Sequence, residues 1–149
     1  MQKLNINDIN LVNYFFPRVE VVAIPSHEPN KSTMTIFSIN TQIEQLENNR
    51  NYAVNIDVQT DMDESTNPPY KFHVSGVAFL NISSEEFDGD NAKETCYQIG
   101  HQVLFGALRE QLSTITSRGP WNAVHLRVIP APQLILISNG AIGDSSEPK

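Results

Sequence analysis

The sequence predicts an α+β fold, a four-stranded antiparallel sheet followed by one long amphipathic helix, and three observations carry it. Val103 to Arg118 places Leu104, Leu108, Leu112 and Ile115 at i, i+4, i+8 and i+11, which is one face of a helix. Tyr52 to Val58 and Tyr70 to Ile82 alternate apolar and polar residues instead, the period of a strand with one dry face. Strands come first and the main helix late, so the helix is segregated to one side of the sheet, where the two apolar surfaces bury each other.

In chain order, Leu4 to Val12 alternates imperfectly and reads as a first strand. Tyr14-Phe15-Phe16-Pro17 then reads as an aromatic cluster in a connection, because proline lacks the backbone donor a ladder needs. Val19 to Ile24 is a short β-prone run, and Pro25 to Lys31 is rich in turn formers. Thr33 to Ile43 and Tyr52 to Val58 are two strands joined through Glu44 to Arg50, and Thr60 to Pro69 is an acidic loop closed by prolines. In Tyr70 to Ile82 the phase shifts at Gly76, with Val77 and Phe79 following Phe72 and Val74, so a bulge or bend is expected there. After Ser83 the period turns helical, with Asp88 or Asp90 as caps and Gly100 as a bend between a short first helix and the main one. Arg118, Gly119 and Pro120 mark the end: a cation near the negative pole, a residue suited to the left-handed cap, and one that cannot continue the helix. Trp121 to Ile137 fits either an extended segment or a short helix after Pro132. Residues 1–137 are expected to form one domain, and 138–149 has the composition of a disordered tail.

A chain of 149 residues that is 40% hydrophobic suits one compact domain. The net charge of -7 and the scattered ten basic residues argue against nucleic acid as a partner. The single cysteine, Cys96, cannot form an internal disulfide, and no run approaches the ~20 apolar residues of a membrane helix, so a cytoplasmic location without membrane insertion is expected. His27, His73, His101 and His125 show no metal-ligand spacing, and no metal or cofactor is expected. Cys96 and His101 are five apart, roughly 140° around a helix, so they do not pair as nucleophile and base. Nothing in the chain points to an enzyme. The unabsorbed features are apolar: Tyr14, Phe15, Phe16 and Trp121 on a β-rich scaffold, which fit either a core or a groove for extended apolar chains. Apolar surface that one helix cannot cover points to self-association.

Val103-Leu104-Phe105, Arg109-Glu110 and Ser117-Arg118-Gly119, followed by Leu126 and Pro130, resemble the SecB export chaperones. Asp8-Ile9, the Tyr52, Val54, Ile56, Val58 alternation and Gly76-Val77-x-Phe79 match in the strands, so the likeness runs from Ile6 to Pro130. The resemblance implies an ATP-independent holdase for protein export, a homotetramer built as a dimer of dimers, holding unfolded preproteins in apolar grooves. By position it implies client contacts at Tyr14, Phe15, Phe16, Phe79 and Trp121, and a helix stripe of Leu104, Leu108, Leu112 and Ile115 at the oligomer interface. Asp8 keeps one acidic position at which such chaperones dock the SecA motor, while Val12 and His73 replace others. The second helix of the family is shortened or replaced at Gln133 to Ile137. These departures favour, as the alternative, a SecB-like chaperone dedicated to one partner such as an antitoxin, or a non-catalytic interaction protein without SecA delivery.

Overall fold

In the computed structural model, residues 8–46, 50–83 and 89–132 are described. They form β1 (Ile9–Ala23), β2 (Phe37–Gln45), β3 (Asn51–Thr60), β4 (Tyr70–Ile82) and α1 (Gly89–Thr116). The four strands make one antiparallel sheet in the order β1-β4-β3-β2, with α1 across one face. This is the α+β arrangement the periodicities predict.

The core follows from those periodicities. Tyr52, Val54, Ile56 and Val58 of β3 and Phe72, Val74, Ala78 and Leu80 of β4 point to one side and are buried. Against them α1 sets Ala92, Cys96, Leu104, Phe105, Leu108 and Leu112. The opposite face carries Asn55, Asp57 and Gln59 of β3 and Lys71, His73 and Ser75 of β4. Alternation in β4 is unbroken from end to end, so Val77 and Phe79 lie on this outer face rather than continuing the inner one.

Several readings of the sequence need correction. The aromatic cluster is no connection: β1 runs through Tyr14, Phe15, Phe16 and Pro17 as a single strand, interrupted between Leu11 and Asn13 and between Phe15 and Arg18. At the second interruption Phe16 and Pro17 stand opposite Gly76 alone, a bulge on an edge strand, where a proline without an N–H breaks no ladder bond. The irregularity expected at Gly76 therefore belongs to its neighbour. Gly76 is needed for space: a Cβ there would lie 2.7 Å from Phe16 Cε1 and 3.1 Å from Leu104 Cδ2.

The helix is also continuous through Gly100. A Cβ at Gly100 would stand 2.5 Å from Val54 Cβ, so this glycine lets α1 approach β3 rather than bending the helix. At the other end α1 stops at Thr116, which leaves Arg118 outside the last turn, and Gly119 is not in the left-handed region. The Tyr70 hydroxyl occupies the space a side chain at Gly119 would take. It accepts from Trp121 N (3.1 Å), and its own proton faces the carbonyls of Thr116 (3.1 Å) and Trp121 (3.0 Å).

The last concerns the leucines expected at an oligomer interface. Leu104, Leu108 and Leu112 have no accessible surface and are the core of this chain, since its own sheet covers them. The stripe continues to Thr116, which is buried, and Ile115 is left 41% exposed.

Beyond the helix, residues 121–132 have no regular secondary structure and are strapped along α1. Thr116 Oγ1 accepts from Val124 N (2.8 Å), Arg109 Nε donates to Leu126 O (2.7 Å), and His101 Nε2 donates to Ile129 O (2.9 Å). That last bond leaves His101 Nδ1 to accept from the Thr41 hydroxyl at 2.9 Å, which ties the strap to β2. The expectations placed on Leu4, Ile6, Asp88, Gln133 to Ile137 and the tail 138–149 lie outside the described residues.

Candidate functional site

A concavity of about 980 Å³ lies at one end of the sheet where three segments distant in sequence converge. One wall is the connection from β1 to β2, with His27, Pro29, Met34 and Ile36, and the facing wall is the strap, with Trp121 and Val124. Met34 is 58% exposed and Ile36 37%, so the groove presents apolar side chains that none of the described residues covers.

Local bonding holds this irregular backbone open. Met34 exchanges two backbone hydrogen bonds with Thr66, at 2.9 and 2.8 Å, and Ile36 N donates to Ser65 Oγ at 2.9 Å. Ser65 belongs to the acidic loop, which Asp61 organises by accepting from the backbone N–H groups of Asp63 and Glu64. On the facing wall Trp121 Nε1 donates to Ile24 O at 3.2 Å, and the His27 ring packs edge-on against the indole with centroids 4.8 Å apart. Among the described residues no carboxylate lines the groove, although the chain as a whole is acidic.

Of the five aromatic residues expected to meet a client, only Trp121 lines this groove. Tyr14 and Phe16 pack edge to face at 6.4 Å on the helix side of β1, and Phe16 is packed against the core. Phe15 faces outward, 45% exposed, with its ring 6.1 Å from Phe79. Met34 and Ile36 escaped the sequence reading because the alternation of Thr33 to Phe37 looks like the beginning of a strand. His27 sits in text whose only signal is turn composition.

Asp8 is half-buried just before β1, where its carbonyl accepts from Ser83 N and Oγ. Toward the other end of β1 the outer sheet face is polar but internally paired. His73 Nε2 donates to Asp57 Oδ1 (2.9 Å), Ser75 Oγ donates to the same oxygen (2.6 Å), Arg18 Nη1 donates to His73 Nδ1 (2.8 Å), and Arg18 Nε pairs with Glu20 (3.6 Å). Burial would raise the Asp57 pKa, but the Ser75 hydroxyl, the His73 ring and Arg18 outweigh it and hold the carboxyl below its ordinary value. Val12 stands exposed on β1 beyond this network. Cys96 is buried in the core, and desolvation pushes its thiol up to about 11, which removes it as a nucleophile at neutral pH. Among the described residues no three His, Cys, Asp or Glu side chains converge as metal ligands, and no helix is long and apolar enough to cross a membrane.

A four-stranded antiparallel sheet with a single long helix on one face is consistent with the SecB-like fold. A SecB-like chaperone of Mycobacterium tuberculosis, solved in complex with a ChAD peptide from the HigA1 antitoxin, superposes with a TM-score of 0.66 at 11% identity, over 85% of this chain and 94% of that one. A protein of unknown function from Streptococcus agalactiae aligns with a TM-score of 0.45 at 12% identity, over 80% of this chain and 97% of that one. No family model matches the sequence, and no curated protein matches it.

Proposed function

We propose that this protein is a cytoplasmic, ATP-independent chaperone that holds an extended apolar segment of another polypeptide in the groove between His27 to Ile36 and Trp121 to Val124. The observation that carries the reading is the exposure of Met34 and Ile36 opposite Trp121 on a SecB-like fold. Apolar and aromatic walls bind by burying client side chains, which needs no cofactor and no bond-making step. The ligand of the mycobacterial neighbour, an antitoxin peptide, supports a polypeptide as the occupant.

A dedicated partner such as an antitoxin is favoured over delivery of preproteins to SecA. On the outer face Asp57 and Glu20 are bonded within the chain, and Val12 is apolar, which supports weaker docking of a basic motor at those positions. A pull-down from the native host separates the readings: one small partner supports the dedicated chaperone, and salt-sensitive recovery of SecA that Asp8→Ala abolishes would overturn that preference. For the groove itself, Trp121→Ala is expected to weaken binding of a recovered client by about tenfold or more, the effect of losing an aromatic anchor at ~1.4 kcal/mol per decade. Unchanged affinity in a folded Trp121→Ala variant, measured by calorimetry, would remove the groove from consideration.

We also propose a homotetramer. The supporting observation is β1, whose helix side leaves Leu11 at 41%, Tyr14 at 42% and Val19 at 39% exposure because α1 lies over β3 and β4. A second copy would cover this strip and the exposed Ile115. Light scattering is expected to give about four times the 16.7 kDa chain mass. A monomer mass at micromolar concentration would count decisively against assembly.

A further inference from the structure

The β1 to β2 connection receives several of its hydrogen bonds from one side chain of another loop, Asn67. We infer that Asn67 is the positioning residue for the aromatic wall of the groove, an inference that rests on the proposed function for its consequence in binding. Asn67 has φ 50°, and among the described residues it alone, outside glycine, has a positive φ. Asparagine accepts the left-handed region more readily than most side chains do.

That backbone directs the carboxamide into the connection. Nδ2 donates to Glu28 O at 2.8 Å while Oδ1 accepts from Glu28 N at 2.8 Å, so the amide pairs with one residue's backbone as a neighbouring strand would. The second Nδ2 proton faces Lys31 O and Ser32 O, both at 3.4 Å, and Thr33 Oγ1 at 3.3 Å. The backbone carbonyl of Asn67 completes the set by accepting from His27 Nδ1 at 2.9 Å. With Nδ1 carrying the proton, the ring is fixed in tautomer and angle, edge-on to Trp121.

A chain of contact thus runs from Asn67 through His27 to Trp121, and a second runs from the carboxamide to the turn that precedes Met34. Only an amide can both donate to and accept from the Glu28 backbone in this way. An aspartate of the same shape would place a carboxylate against three carbonyl oxygens, and a glycine would keep the backbone conformation but lose every side-chain bond.

Those two variants test the inference, and Trp121 is the reporter, being the single tryptophan of the chain. In Asn67→Asp and Asn67→Gly the emission of Trp121 is expected to shift to the red and to become more accessible to acrylamide, while the far-ultraviolet dichroism of the sheet and helix stays as in the parent. Affinity for a permanently unfolded probe, reduced and carboxymethylated lactalbumin, is expected to fall by about tenfold, because a wall that must be ordered on binding subtracts from the interaction. Asn67→Gly carries the test if Asn67→Asp fails to fold. Parental emission and parental affinity in Asn67→Gly overturn the inference. If the parent protein itself does not bind the probe, the proposed function fails, and the emission of the variants still decides whether Asn67 positions Trp121.

Discussion

Phe16→Ala is expected to destabilise the protein by about 3 kcal/mol, the lower end for truncating a core phenylalanine and a large share of the ~5 to 15 kcal/mol that a domain typically has. Its ring lies where a side chain at Gly76 would be, against Leu104 of the helix, so removal leaves a void between the edge strand and α1 that neither the glycine nor the fully buried leucine can fill. Phe15→Ala, one residue earlier, is expected to cost under about 1.5 kcal/mol, since an aromatic pair of this kind contributes ~0.5 to 1.5 and nearly half of the residue is already in water. Denaturant unfolding of the two variants measures the contrast directly. Equal losses would show that β1 does not alternate as the bulge requires. Neither variant should alter client affinity through the groove, because neither ring lines it.

That contrast also shows where sequence reasoning stops. β3, the first half of β4 and the stripe on α1 as far as Leu112 are legible because each keeps one period there, whereas Val77 and Phe79, apolar but on the outer face, make β4 look out of phase after Gly76. β1 is illegible for the opposite reason. Two interruptions reset its phase, and Pro17, which would end an inner strand, is tolerated at a bulge on the sheet edge. Leu104, Leu108 and Leu112 expose a different limit: a helical stripe says that something apolar covers it, and whether that is the same chain or another copy depends on the sheet beneath. The groove is harder still. Trp121 stands out by its chemistry, but His27, Met34 and Ile36 become a site only when residues 65–69 bring their segment opposite the strap.

Glycine carries the same ambiguity, and α1 contains a paired test of it. In an exposed helix interior Gly→Ala stabilises by up to ~1 kcal/mol, and Gly106, where an added Cβ would meet nothing within 4 Å, is expected to show that gain. Gly100→Ala is expected to do the reverse and destabilise by about 1 to 3 kcal/mol, because the added methyl meets Val54 in a part of β3 with no accessible surface and no room to give. The clash is with one side chain, so it should be partly relieved by Val54→Ala. In a double-mutant cycle the pair is expected to be less destabilised than the sum of its single changes by about 0.5 to 3 kcal/mol. Chemical denaturation of the three variants and of Gly106→Ala provides the measurement. A stabilised Gly100→Ala, or strict additivity with Val54→Ala, would mean that α1 does not approach β3 at Gly100 and that the helix bends there instead.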